Sequence, residues 1–290
     1  MSAAEPAADV PVPELSAALE RLAAPPDDAW IRSLDPRKRE ELEFHDEDRE
    51  RAEDGARATR EPGNRRFYSV VGASQAYVEG WIRTHAPGRV FLDYACGNGA
   101  YAIQAAAAGA SLAIGLDISG VSVRNAARDA EAAGVGRRTR FVQGDCEATR
   151  LPSGSVDVVV CSGVLHHLDL GYAFPELRRI LRPAGTVLAV EALAVNPLIA
   201  LYRRLTPGLR TDWERKHILS HRHLRFARWF FEVRNVRYWH LFVLPAALAW
   251  GTPLFGPLAR LGGAMDAVAM RLPLVNRLAW QFTFELHKPH

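Results

Sequence analysis

The sequence predicts an α/β protein built on a doubly wound, mostly parallel, seven-stranded sheet, with a helical N-terminal extension and a helical cap and insert near the C-terminus. Three observations carry that expectation. Short apolar runs alternate with helical segments from residue 89 to residue 192. The runs are continuous rather than alternately apolar and polar, as strands covered on both faces are. Each of the first four runs ends in a turn rich in Gly, Asp, Asn or Ser, and such sheets bind ligands beyond the carboxyl ends of their strands.

The segments follow in order. Residues 1–30 are acidic and Pro/Ala-rich and read as a flexible leader with one helical patch at 15–22. Residues 31–88 read as N-terminal helices: a charge-dense exposed stretch over 31–62, then an amphipathic helix over 67–86 leading into the core. In the 89–192 core, strands are expected at 89–94, 111–117, 139–143, 156–161 and 185–192, with helices at 100–108, 121–133 and 172–181 between them. Residues 193–228 read as a helical cap. Residues 229–290 hold the last two strands, 233–241 and 280–286, around an apolar insert at 244–278. The stretch 241–259 is uncharged, but Pro245, Gly251, Pro253, Gly256 and Pro257 interrupt it, so it suits buried helices or an interfacial segment better than a membrane span.

Composition excludes some functions. A net charge of +3 on 290 residues gives no basis for nucleic-acid binding. Between residues 203 and 237, however, ten Arg and Lys face three acids, either as a solvated helix face or as a surface for an anionic substrate or lipid headgroups. The three cysteines, Cys96, Cys146 and Cys161, contain no Cys-x-x-Cys pair, so no structural metal site is expected. Their odd number, without an export signal, fits a reducing cytoplasm.

The candidate site is read from the strand ends. After the first strand come Asp93 and then Cys96-Gly97-Asn98-Gly99. Gly97 and Gly99 allow a tight turn and close ligand approach, and the helix that follows offers free N–H groups to an anion. The same glycines formally satisfy a dinucleotide fingerprint. Asp93 argues against a pyrophosphate there and for a cation: a unit charge pair at about 4 Å is worth roughly 4 kcal/mol at an effective dielectric near 20. Asp117 ends the second strand and can accept two ribose hydroxyls, or cap the next helix. Asp145 and Cys146 end the third strand, where Asp145 suits an adenine amino group or a simple turn. Ser162 ends the fourth strand, and His166 and His167 follow as a candidate base or substrate contact. Glu191, at the end of the fifth strand, is a second candidate acid or base.

Taken together, LDYACGNG at 92–99, GLDIS at 115–119, GDCEATRLP at 144–152, SVDVVVCSGVLHHL at 155–168 and ILRPAG at 180–185 resemble the class I S-adenosylmethionine (SAM)-dependent methyltransferases. More narrowly, they resemble the type 11 methyltransferase group that includes the ubiquinone/menaquinone enzymes. The resemblance covers residues 60–195 and implies a Rossmann-like core with SAM as cofactor. It implies that Asp93, Gly97 and Gly99 cradle the methionine part and that Asp117, with Ile118 beside it, holds the ribose. Asp145 and Cys146 would meet the adenine, Ser162 would line the methionine side, and Tyr68 would close over the cofactor. Ala95 and Ala184 depart from the family pattern, which has glycine at both places, and so alter the turns there.

Methyl transfer from a sulfonium requires alignment of nucleophile and methyl within about 3–3.5 Å and exclusion of water. A base is needed only for a poor nucleophile such as a hydroxyl, which His166, His167 or Glu191 would serve. The expected acceptor is a small molecule, with a hydrophobic or lipid- or sugar-linked hydroxyl compound favoured by the apolar insert, and peripheral membrane contact through 241–278 is an open alternative to core completion. Competing readings are an NAD-dependent oxidoreductase, a non-catalytic SAM-binding protein, and a metalloid methyltransferase using the three cysteines.

Overall fold

The computed structural model describes residues 12–53, 66–206, 208 and 210–289. Helices α1 (Val12–Ala23), α2 (Asp28–Ser33), α3 (Pro36–Glu53) and α4 (Gly72–His85) precede the core. The core runs β1 (Val90–Tyr94), α5 (Ala100–Ala107), β2 (Leu112–Asp117), α6 (Gly120–Ala132), β3 (Thr139–Gln143), β4 (Val156–Ser162), α7 (Leu170–Ile180) and β5 (Leu181–Ala192). Then come α8 (Pro197–Leu205), α9 (Asp212–His217), α10 (His221–Ala227), β6 (Glu232–Trp239), α11 (Phe255–Ala269) and β7 (Gln281–His287).

The seven strands lie in the order β3-β2-β1-β4-β5-β7-β6. The first five are parallel, and β7 runs antiparallel between β5 and β6. Register aligns the carboxyl ends: Asp93 lies opposite Gly115, Asp117 opposite Gln143 and Tyr94 opposite Cys161. Four turns therefore open on one rim.

Strand period two divides the core into layers. Leu92, Ile114, Val159 and Ala189 face α7 and α1, while their neighbours Phe91, Ala113, Val158 and Leu188 face α4 and α5. The small residues Ala102, Ala105 and Ala106 fall on one face of α5 and let it approach the sheet closely. Each fully buried Leu or Phe stabilises the fold by about 1.5–3 kcal/mol; Leu116→Ala would cost about 2–5 kcal/mol.

One region differs from expectation. Residues 1–11 of the expected leader lie outside the described residues; over 12–33 the chain forms two helices, and Leu15, Ala18 and Leu19 of α1 are buried. An apolar i, i+3, i+4 triplet is enough to dock one short amphipathic helix on the sheet. The charge-dense stretch forms α3, but residues 54–62 of it lie outside the described residues.

The insert folds as a 3-10 turn (Leu244–Ala249), α11 and a second 3-10 turn (Asn276–Leu278). Gly262 lets α11 lie against the backbone at Phe242, whose carbonyl oxygen would sit 2.6 Å from any Cβ there. Asp266 accepts the N–H groups of Leu241, Phe242 and Val243 at 3.2, 2.7 and 3.2 Å. Among the described residues no helix is long and apolar enough to cross a membrane. β6, the free edge, carries charged side chains and a register shift at Arg234/Arg237, features that discourage edge-to-edge pairing.

Candidate active site

The turn after β1 is left-handed at Ala95 (φ 57°), Gly97 (φ 49°) and Gly99 (φ 73°). A Cβ on Gly99 would fall 2.5 Å from the Phe141 ring, so this position demands glycine for space as well as for conformation. The turn is held from β2: Gly97 N donates to Asp117 Oδ2 at 2.8 Å, and Ser119 N donates to Asp117 Oδ1 at 2.9 Å. Each oxygen thus keeps one acceptor direction, enough for two vicinal hydroxyls.

Asp117 and Gly97 border a cavity with about 820 Å³ between its walls, open mouth included. Ile118, Asp145, Cys146 and Ser162 border it too, so four strand ends converge there. Asp117 is thereby a wall residue as well as the anchor of the first turn. The donor set suits an adenosine: a carboxylate pair of acceptors for a ribose, apolar Ile118, Val164 and Leu168 for a base plane, and Asp145 on the rim.

Asp93 is placed differently from expectation. It is buried beneath the turn, is not one of the cavity's walls, and accepts Ala102 N at 3.1 Å. A carboxyl at the end of β1 satisfies the free N–H groups of the first turn of α5, so it shapes the cradle from below. Burial pushes its pKa up to about 8, with the Asp117 charge adding to the rise against the bond from Ala102. Cys146 presents its carbonyl to the Tyr94 hydroxyl. Burial also raises all three thiols well above their ordinary value, and among the described residues none joins a group of potential metal donors. Protonated thiols are poor ligands and nucleophiles.

Sequence reasoning missed one whole wall. Arg37, Lys38, Glu41 and His45 of α3 border the same cavity. Lys38 Nζ lies 2.7 Å from Asp145 Oδ2 and 2.9 Å from Glu147 Oε2. These bonds outweigh the effect of burial and raise its pKa. Arg37 reaches both oxygens of Glu147, at 2.7 and 2.9 Å, and the His167 carbonyl at 2.9 Å. Further along α3, Asp46 accepts from the Ser119 hydroxyl and from Val121 N at 3.3 Å.

The histidines face different partners. His166 Nδ1 lies 2.7 Å from Glu191 Oε2, and Glu191 Oε1 accepts Val164 N and Leu165 N at 2.9 and 2.7 Å. Glu191, fully engaged, therefore fixes the turn after β4 and orients His166. The other ring nitrogen of His166 faces Glu214 of α9, 3.8 Å away. His167 Nδ1 lies 2.9 Å from Glu41 Oε2. Burial and the neighbouring His166 lower the His167 pKa, while bonds from His167, His45 and Thr211 overcome burial and hold Glu41 well below the usual carboxylate range.

Tyr68 is not a cavity wall either. It packs on Trp280, 5.6 Å between rings, on the side of Arg203, Arg210 and Glu214. Burial raises its hydroxyl pKa and the Glu214 charge adds to it. The residue is nonetheless 57% exposed, so this is crowding in a cleft rather than a packed core. Two triads, Glu41-His45-His167 and His166-His167-Glu214, bring potential metal donors within 4.8 Å of one another.

A doubly wound sheet whose strand-end acids border one cavity defines a nucleoside- or nucleotide-binding α/β protein. Residues 92–189 match the family described as "Methyltransferase domain". Over that span the chain is similar to SAM-dependent methyltransferases. Among its relatives is the 27-O-demethylrifamycin SV methyltransferase of Amycolatopsis mediterranei, 35% identical over 125 residues, 43% of each chain. A sterol 24-C-methyltransferase of Gibberella zeae is 33% identical over 100 residues, 34% of this chain and 26% of that one. The chain thus spans less than half the length of these relatives. Geranyl diphosphate C-methyltransferase from Streptomyces coelicolor A3(2), solved with Mg²⁺, geranyl diphosphate and S-adenosyl-L-homocysteine, superposes with a TM-score of 0.55 at 14% identity, over 74% of this chain and 79% of that one. At that identity the likeness establishes the fold.

Proposed function

We propose that this chain methylates a hydroxyl oxygen of an apolar or lipid-linked small molecule, using SAM, and that it meets that acceptor at a membrane surface through residues 241–278. The observation that carries the oxygen chemistry is the buried His166–Glu191 pair, 2.7 Å apart in the turn after β4 whose Val164, His167 and Leu168 border the cavity. The relatives' names, a rifamycin and a sterol methyltransferase, support an apolar organic acceptor, as does the apolar insert.

SAM supplies, when bound, an electrophilic methyl on a sulfonium. Asp117 and Ile118 would hold its ribose, Asp145 and Cys146 its adenine, and the Gly97–Gly99 turn with Ser162 its amino-acid end. Glu191 accepts the Nδ1 proton of His166, which leaves the Nε2 lone pair free on the cap side. An acceptor hydroxyl there passes its proton to Nε2 as its oxygen is methylated, and the Glu191 charge stabilises the imidazolium formed. Arg203, Arg210 and Tyr68 line the approach. Burial and the neighbouring Arg210 lower the Arg203 pKa to about 10, well above neutral, so the approach stays cationic and favours an acceptor with an anionic group.

The test is calorimetry with SAM, S-adenosyl-L-homocysteine and NADH, followed by mass spectrometry of SAM reactions with a panel of apolar alcohols and lipid-linked hydroxyl compounds. SAM binding, release of S-adenosyl-L-homocysteine and a methylated oxygen are expected. Asp117→Ala should weaken SAM at least tenfold, the loss of about 1.4 kcal/mol of hydroxyl bonding. His166→Ala should lower kcat by roughly 10²–10⁴ with SAM affinity unchanged. Binding of NADH in place of SAM, or SAM binding with no acceptor ever methylated, overturns the proposal.

A further inference from the structure

Helix α11 is apolar on two sides, roughly 110° apart around its axis. Its inner side packs through Phe255, Ala259 and Gly262 and is pinned by Asp266 to the backbone of 241–243. Its outer side presents Leu254, Leu258, Leu261, Met265, Val268 and Leu272, all exposed, at alternating spacings of four and three residues. Leu254, Leu261 and Val268 leave 64, 61 and 65% of their surface in water. The stripe does not belong to a core face turned the wrong way, because a Cβ at Gly262 has no room and the Asp266 clamp fixes the helix rotation. Leu248, Trp250 and Leu274 extend the apolar surface beyond both ends. Continuous exposed surface of this kind marks an interaction site.

Charge decides the partner. From residue 241 to residue 280 the only acid is Asp266, which is buried, while Arg260, Arg271 and Arg277 are exposed. Arg260 and Arg271 lie roughly 100–120° around the helix from the stripe. That is headgroup level for a helix lying flat with its apolar side in the acyl boundary. At about 1.5 Å per residue α11 is some 22 Å long, shorter than the roughly 30 Å apolar thickness of a bilayer, so it lies in the plane rather than across it. A second copy's stripe offers no exposed acid to pair with these arginines, whereas an anionic bilayer neutralises them.

We infer that the outer face of α11, with Arg260 and Arg271 beside it, seats this protein on an anionic lipid surface. This deepens the proposed reading by naming the surface on which an apolar acceptor is met. It can be tested without SAM or acceptor, so its failure leaves methyl transfer standing, and failed methyl transfer leaves it standing.

The experiment is co-sedimentation of the full chain with phosphatidylcholine vesicles, with and without phosphatidylglycerol. Binding to the anionic vesicles, weakened by high salt, is expected. Leu258→Asp with Val268→Asp should reduce it at least tenfold, since two apolar side chains lose their burial and two negative charges face anionic headgroups. Both positions are exposed, so the melting temperature should stay put, which separates lost docking from lost folding. Arg260→Glu with Arg271→Glu should weaken binding to anionic vesicles and leave the weaker binding to neutral ones unchanged. No binding to anionic vesicles overturns the inference. So does binding that survives both double variants, or light scattering that shows a stable dimer dispersed by Leu258→Asp with Val268→Asp.

Discussion

Ala95 and Ala184 show what a single atom does in this site. Both stand where the resembling family has glycine, and both adopt left-handed backbone, φ 57° and 59°. A Cβ in that region costs roughly 1–2 kcal/mol, while glycine adds about 0.4–1 kcal/mol of freedom to the unfolded chain. Ala95→Gly and Ala184→Gly should therefore each raise stability by roughly 0.5–1 kcal/mol, read as a higher urea midpoint at unchanged slope. An unchanged or lower midpoint would show that the alanine methyl packs favourably enough to offset its strain. The two positions were legible from sequence as departures; their shared conformation was not, because a turn's φ follows from the strands on either side. Asp117, Gly97 and Gly99 were legible because their chemistry stands at a strand end in the chain itself. Asp93 was legible as a residue but not as a role: only the fold shows that its carboxyl is occupied by the first turn of α5.

The elements of the sheet were readable because continuous apolar runs of strand length have few other uses. Helix α3 was not. Thirteen of its 18 residues are charged, so no stripe distinguishes the side that meets the protein from the side that meets water. Its docking is carried by ion pairs at one end, to Asp145 and Glu147, and by Asp46 at the other, to the Ser119–Val121 turn. Glu147 is nearly inaccessible, and removing its cations would leave a buried charge unpaired, at a cost of about 3–5 kcal/mol. Arg37→Ala with Lys38→Ala should therefore release α3. Amide exchange over residues 36–47 should accelerate markedly while β1, β2 and β4 stay protected. Protection unchanged over 36–47 would mean that Leu42 and the remaining contacts suffice. The same variant should weaken SAM, because one wall of the cavity leaves with the helix.

Asp93 makes the stability of the entire fold depend on pH. The unfolded chain releases this proton near the ordinary carboxylate value of 3.8 and the folded chain at about 8. Between those values the native state holds one proton more, so stability falls as pH rises through the window. Asp93→Asn, which keeps an acceptor for Ala102 N, should melt higher than the parent at pH 8 and above, and the gap should close on acidification toward pH 4. A constant gap across that range would assign the effect to packing rather than to the charge. The architecture as a whole was legible to the fifth strand and thinner beyond it. β6 is a half-exposed edge strand with a bulge, and β7 pairs with partners far away in sequence. That last pairing has a consequence for biosynthesis. β5 and β6 do not touch; β7 is wedged between them, with Phe282, Phe284 and Leu286 wholly buried. On the ribosome the β1–β4 half can close as soon as it emerges, whereas the half that carries α8–α11 must wait, open along one seam, until β7 is translated.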